Sequence, residues 1–341
     1  MKKERKRRRR LKGLLIAVII LLTLTLVVVL WIDNILDKRI KIDVDEDKVV
    51  QEKNDFKDDS IEGYWNIAVF GVDSRTNELV NGTRSDSIII ASIDKKTKDV
   101  KLVSVYRDTL ADIGSYGYKK INSAYAHGGP QLAIITLNRM LDMDIEDFVT
   151  VNFSSVTNLV NLIDGIEIKI EDDEISALNK NIKDCNKLNN TKSPLIKKAG
   201  TYNLDGTQAL AYSRIRKTAG SDFRRTQRQR TVIMAVINKA KGSSLTTINK
   251  VIDTMLPQVA TNLTTTDILS LAKDIFSYEI KEDSGFPFEK VGATVDGASV
   301  VVAKDLEKNV IDLHQMLFAS EQYTPSSTIK EISAKLKKYE K

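Results

Sequence analysis

The chain has 341 residues, 52 Lys+Arg against 46 Asp+Glu and a 42% apolar share, which is room for one large or two small domains and a hydrophobic core. With only 5 Pro and 16 Gly it is not collagen-like, low-complexity or mainly disordered. One cysteine, Cys185, and two histidines, His127 and His314, exclude an intrachain disulfide framework, a cysteine-cluster metal site and multi-histidine zinc chemistry.

The positive charge is concentrated at the start. Met1–Lys12 holds nine Lys/Arg residues against Glu4, so the rest of the chain is slightly acidic and a nucleic-acid reading loses its support. Gly13–Ile32 follows with no charged residue. As a helix its 20 residues reach roughly 30 Å, the thickness of a bilayer's hydrocarbon core, and Trp31 falls at the interface. The apolar run is longer than a signal peptide's and lacks a small-residue cleavage site, which predicts an uncleaved anchor. The positive-inside rule then places residues 1–12 in the cytoplasm as a basic tail and everything after the 13–32 span outside the cell.

Residues 33–63 alternate charges (DKRIKIDVDEDK, EKNDFKDD) and read as a solvated extracellular stalk. A domain over 64–320 follows. Strand-length β-branched runs occupy Trp65–Val72, Ser87–Ile93, Val100–Tyr106, Phe148–Asn152 and Ile166–Ile170. Helical patterns cover Pro130–Leu141, Ser154–Ile163, Asp222–Ala240, Leu245–Val259, Thr265–Phe276 and Asp305–Leu317. Interleaving of this kind predicts an α/β sandwich around one central mixed sheet. Asn179–Ser193 reads as a loop insertion carrying Cys185 as a surface thiol, and 321–341 as a polar, frayed tail.

Phosphate-loop, dinucleotide, nucleophile-elbow and zincin motifs are all missing. Acids and arginines instead stand at strand ends, where open α/β sheets bind ligands. GVDSR (71–75) places Asp73 and Arg75 after the first strand, and TRSDS (83–87) places Arg84 and Asp86 before the second. Two carboxylates on one connecting loop are hard oxygen donors suited to Mg²⁺, although turn chemistry explains them equally well. In YRDT (106–109), Arg107 and Asp108 follow the third strand; a surface ion pair is the plainer account of those two alone.

The densest cluster is AYSRIRKTAGSDFRRTQRQR (211–230). If its first part is extended, Arg214 and Arg216 share one face, and Asp222 then caps a helix. Steps of three and four place Arg225 and Gln229 on the same stripe as Val232 and Val236, which points into the core. A guanidinium there needs a partner or a cavity. Arg224, Arg228 and Arg230 fit a solvated face. Arginines beside a helix N-terminus make an anion site suited to phosphate oxygens.

Taken in order, GVDSR…RSD, YRDT, KINSAYAHGG (120–129) and AGTYNLDGTQALAYSRIRKTAGSDFRRTQRQR (199–230) resemble the LytR-CpsA-Psr family, over roughly residues 61–317. The resemblance implies a three-layer α/β/α sandwich, preceded here by one transmembrane helix. It implies Mg²⁺-dependent transfer of a polyprenyl-diphosphate-linked glycopolymer (teichoic acid or capsular polysaccharide) to peptidoglycan, releasing polyprenyl phosphate. Asp73 and Asp86 would hold the metal. Arg75, Arg84, Arg107, Lys120, Arg214, Arg216, Arg225 and Gln229 would surround the diphosphate and its neighbours, and Asp222 would orient the arginines. Asp108 is a general-base candidate by position, with a metal-bound carboxylate as the alternative. The partners implied are lipid-linked polymer, peptidoglycan and the membrane, with no nucleotide or nucleic acid. Two departures stand out: Tyr106 where the family usually has Pro, and Arg224 where it commonly has Gly. Two other readings remain open on the sequence, a phosphohydrolase with water as acceptor and a non-catalytic, membrane-anchored envelope regulator.

Overall fold

The computed structural model describes residues 37–51, 54–56, 58–72, 79–80, 82–216 and 221–340. The expected tail and span at 1–32 lie outside these residues, and no helix among the described ones is long and apolar enough to cross a membrane. In chain order the elements begin with β1 (Ile40–Lys41), α1 (Glu46–Gln51), β2 (Tyr64–Val72), β3 (Ser85–Asp94) and β4 (Asp99–Val105). Next come the hairpin β5 (Leu110–Asp112) and β6 (Tyr118–Lys120), then α2 (Asn122–Leu141), β7 (Asp147–Asn152) and α3 (Phe153–Leu162). The middle of the chain adds β8 (Ile166–Ile170), α4 (Ile175–Asn189), β9 (Gly200–Leu204), α5 (Gly206–Ser213), α6 (Ser221–Lys241) and α7 (Leu245–Met255). It closes with β10 (Val259–Thr261), α8 (Thr265–Lys273), β11 (Glu279–Phe286), β12 (Lys290–Val295), β13 (Ala298–Ala303), α9 (Leu306–Phe318) and α10 (Ser327–Leu336).

A seven-stranded mixed sheet, in the order β1-β10-β7-β2-β3-β4-β11, forms the centre. The pairs β2–β7 and β4–β11 are parallel, whereas β2–β3 and β3–β4 are antiparallel. Period-2 alternation sorts the side chains of these strands. Ala68, Phe70 and Val72 of β2 and Ile88 and Ile90 of β3 enter one core with Tyr125 and Ile134 of α2 and Leu313 of α9. Val69, Gly71, Ser87 and Ile89 face the other way, toward α3, α6 and α7. Helices therefore lie over both faces. Gly129 kinks α2 before Pro130 with φ 62°, and a Cβ there would come within 3.1 Å of the Val80 carbonyl, so this close approach uses glycine's freedom.

Four expectations need correction. The expected stalk is, from Asp37 on, part of the folded domain: β1 extends the sheet beside β10, and Val49 and Ile61 enter the core. Asp58 is buried there, with Oδ2 2.7 Å from His314 Nδ1, while His314 Nε2 donates to the Leu141 carbonyl at 3.0 Å. The expected tail is also packed, since Ile329, Ile332 and Leu336 of α10 are buried at period-three and period-four spacing. Ser326 caps that helix and donates, through its amide and its hydroxyl, to the buried Asp142 carboxylate, both at 2.8 Å. Asn179–Ser193 is mostly helix rather than loop: Leu178, Ile182 and Cys185 form the buried stripe of α4, so Cys185 is no surface thiol. One strand carries no mark in the sequence patterns: β11 is polar (EIKEDSGF) and lies at the sheet edge, where alternation signals are weak because its side chains are largely exposed.

Candidate functional site

The strand-end residues converge beside the first turns of α6. Asp86, second residue of β3, is held from two directions: Arg107 Nη1 donates to Oδ1 at 2.8 Å, and Arg225 Nη2 to Oδ2 at 3.4 Å. Asp108 extends the cluster, with Lys120 Nζ 2.8 Å from Oδ1 and Arg107 Nε 3.6 Å from Oδ2. β5 and β6 bring Lys120 there, because Leu110 pairs with Lys120 across the hairpin. Three cations and two carboxylates drawn from four chain segments are thus gathered in one place. Arg225 is 5% exposed, whereas the Asp86 side chain is 20% exposed, so the cluster is sheltered but open on one side. The opening is a small pocket lined by Asp86, Tyr106, Arg107, Asp108, Phe223 and Arg225.

One helical turn along α6 the chemistry changes. Gln229, buried, lines an apolar cavity of about 190 Å³ whose walls are Val69, Ile89 and Val151 of the sheet, Leu159 of α3, Val232 and Val236 of α6 and Met255 of α7. Gly71 and Ser87 also line it, and Ser87 is the neighbour of Asp86, so the start of β3 touches both the charged cluster and the apolar wall. The helical stripe Arg225–Gln229–Val232 read from the sequence runs along this boundary.

The other expected residues are placed differently. Arg84 is exposed, and Arg216 is exposed after the end of α5. The segment carrying Arg214 is not extended: Asp205 accepts from the Gln208 amide in a capping box that starts α5, and Arg214 closes that helix at φ −94°, ψ −1°. Arg214 is half-buried and hydrogen-bonded to the Cys185 sulfur; burial raises the Cys185 thiol above its ordinary value and the guanidinium opposes the rise. The ion pairs described for Asp86 and Asp108 are made by Arg107, Arg225 and Lys120. Asp73 and Arg75 lie outside the described residues, as does the Asp222 side chain in the first turn of α6.

The remaining arginines of α6 split. Arg224 is exposed and pairs with Asp173 at 2.7 Å, as a solvated face requires. Arg228 and Arg230 are buried, contrary to expectation. Arg228 Nε donates to Glu174 Oε1 at 2.7 Å, and Arg230 Nε to Asp283 Oδ2 at 2.9 Å on β11. Helical phase alone missed them, because α6 has neighbours on more than one side. The pocket rings Tyr106 and Phe223 have no role in the sequence reading; their signal there is an aromatic residue one or two positions before a clustered arginine, with Tyr106 also a departure from the family pattern.

The family model LytR_cpsA_psr matches residues 34–315. The chain belongs to the LytR-CpsA-Psr family. Among curated relatives, it is 32% identical over 234 residues to the polyisoprenyl-teichoic acid–peptidoglycan teichoic acid transferase TagT of Bacillus subtilis, covering 67% of this chain and 70% of the relative. It is 30% identical over 276 residues to the regulatory protein MsrR of Staphylococcus aureus, covering 77% of each. A solved structure of TagT bound to LIIa-WTA superposes with a TM-score of 0.60 at 27% identity, over 77% of this chain and 94% of that one. The family match at 34–315 spans the residues of the sheet, the charged cluster and the apolar cavity. They bear out the family resemblance and the mixed-sheet α/β fold.

Proposed function

We propose that this LytR-CpsA-Psr protein transfers a polyprenyl-diphosphate-linked anionic glycopolymer to peptidoglycan at the Asp86–Arg107–Arg225 cluster, as the name of its relative TagT indicates for that protein. The observation that carries the reading is adjacency: a cationic pocket fit for phosphate oxygens opens one helical turn from an apolar cavity fit for an isoprenoid chain. The uncharged Gly13–Ile32 segment would anchor the protein with residues 1–12 in the cytoplasm and the domain outside, which keeps the site near the lipid headgroups.

In this mechanism the apolar walls take the lipid, and Gln229 stands between lipid and diphosphate. Arg107, Arg225 and Lys120 stabilise the charge on the non-bridging and leaving oxygens while an acceptor sugar hydroxyl attacks the phosphorus bearing the polymer and passes its proton to the Asp108 carboxylate, the general-base candidate. Polyprenyl phosphate departs, and the diphosphate bond itself supplies the driving force, so no nucleotide is needed. Asp86 and Asp108 hold the three cations in place before the substrate arrives. Arg75, Arg84, Arg214 and Arg216 are assigned to the diphosphate's surroundings on the family pattern, and Asp222 to orienting arginines.

The donor chemistry of Asp86 fits Mg²⁺, an ion commonly bound by one or two carboxylates together with substrate phosphates; Asp73 would be the second ligand. When bound, the ion would add positive charge at the phosphate oxygens. Among the described residues no group of three or more acids, histidines or cysteines forms a cage that would hold a metal without substrate.

The test is to incubate the full-length protein in detergent with lipid-linked polymer, with and without peptidoglycan, and to follow polymer on the glycan and polyprenyl phosphate release. Release that depends on peptidoglycan supports transfer. Release without it supports a phosphohydrolase. No turnover, with envelope phenotypes that survive alanine at Arg107 and Arg225, supports the regulator reading that the name of MsrR favours.

A further inference from the structure

Tyr106 immediately precedes Arg107, and Phe223 stands two residues before Arg225 in the first turn of α6. Their rings meet edge-on, with centroids 4.6 Å apart and planes at 73°. Lys290, first residue of β12, lies over both, its Nζ 5.0 Å from the Tyr106 centroid and 4.7 Å from that of Phe223. Lys290 is itself tethered, donating to the Pro287 and Phe288 carbonyls at 3.2 and 3.1 Å. Behind the tyrosine, the Tyr106 amide donates to the Phe286 carbonyl at 2.9 Å. Gly285 leaves the ring its space: a Cβ there would overlap the Tyr106 hydroxyl and approach ring Cζ to 2.7 Å.

These contacts connect the two segments whose arginines share Asp86. Arg107 comes from the end of β4 and Arg225 from α6, and nothing local in sequence fixes their separation. The aromatic pair is a direct bridge between those segments at the mouth of the same pocket. Edge-to-face rings with a cation over them have a preferred geometry, so the bridge sets a distance as well as burying apolar surface.

We infer that Tyr106, Phe223 and Lys290, seated on Gly285, form a clasp that positions Arg107 and Arg225 for one anionic group. They are positioning residues that act through the arginines. The inference deepens the proposed transfer reading and rests on it for its catalytic consequence, but the clasp itself is a statement about geometry. A displacement of about 1 Å in charge-stabilising groups costs on the order of 100-fold in rate, so loosening the clasp lowers turnover while leaving substrate capture nearly intact.

The experiment uses the full-length protein in detergent, with Tyr106→Ala, Phe223→Ala, their double variant, Tyr106→Phe and Gly285→Ala. Each alanine variant is expected to lower kcat about tenfold with KM for lipid-linked polymer and for peptidoglycan within about twofold. The double variant should also lose about tenfold rather than a hundredfold, because one bridge is broken once. Tyr106→Phe, which keeps the ring, should restore the rate, and Gly285→Ala should lower it only while Tyr106 is present. Hydrogen exchange over residues 223–230 should accelerate in both single alanine variants and not in Tyr106→Phe. Additive losses overturn the clasp. So does a rise in KM with kcat retained, which would mean that the rings touch a sugar. If the wild type transfers nothing, the functional reading has failed, and exchange alone decides the clasp: unchanged protection in both alanine variants overturns it.

Discussion

Arg225 and Arg228 stand three residues apart on α6, are 5% and 3% exposed, and each bind a carboxylate. Their surroundings differ. Glu174, the partner of Arg228, is 6% exposed, and the pair lines a polar pocket of about 200 Å³ together with Lys169, Glu171, Asp173 and Arg224. Asp86, the partner of Arg225, is shared with Arg107 and opens on a pocket. A buried arginine is therefore not in itself a functional one. What separates the two is the balance of charge: three acids offset three cations around the Arg228 pocket, whereas three cations outnumber two carboxylates in the Asp86 cluster, which leaves charge for an anion. Arg224, one residue before Arg225 and paired with Asp173 in solvent, supplies the third case on the same helix.

The contrast between these arginines can be broken by substitution. Arg228→Ala leaves Glu174 buried without its charge partner and should destabilise the fold by about 3–5 kcal/mol. Urea unfolding measures this, and wild-type stability in the variant would show the pair to be dispensable. Arg225→Ala should instead leave most stability and remove a charge-assisted contact of about 1.5–3 kcal/mol, lowering transfer roughly 10- to 100-fold in the detergent assay. Equal losses of stability in the two variants would erase the distinction drawn between the sites.

A further structural carboxylate sharpens the same point. Burial alone would raise the Asp58 pKa, but hydrogen bonds from His314, Ser60 and Ser320 and the His314 charge hold it at about 2, below the ordinary 3.8. A depressed carboxylate contributes stability that is present above pH 4 and lost as the pH falls toward 2. Wild type and Asp58→Asn should accordingly differ in stability at pH 5 and converge near pH 2, as followed by denaturant unfolding. A gap that persists at pH 2 would reject the pair's titration as its source. The smallest effect is expected for Arg224→Ala, about 0–1 kcal/mol, because the pair it breaks with Asp173 is exposed. A larger loss in thermal unfolding would mean that this surface contact is coupled to the Arg228 pair.

Much of the sheet was legible because its inner strands carry period-2 runs of β-branched residues bounded by turns. Trp65–Val72, Ser87–Ile93 and Phe148–Asn152 lie within, or differ by one residue from, β2, β3 and β7. The stripe from Arg225 through Gln229 to Val232 was legible because helical phase is local. β1 and β11 were not: the first is two residues long, the second polar, and each is a strand only because a neighbour supplies its hydrogen bonds. Whether the segment of Arg214 is extended or helical was not legible, because a short run of mixed residues has no period of its own, while the Asp205 capping box decides the helix.

The sequence by itself determined which residues carry charge beside strand ends, that the Arg225–Gln229–Val232 stripe of α6 turns inward, and the ordered motifs of the family. Those depend on neighbours a few positions away, where backbone geometry sets the spacing. Only the tertiary structure decided that Asp86 meets an arginine 139 residues later, that Arg228 pairs with Glu174, and that Tyr106 lies against Phe223. Such pairings depend on how the sheet and helices pack, and packing is set by the sum of many distant contacts rather than by any local pattern.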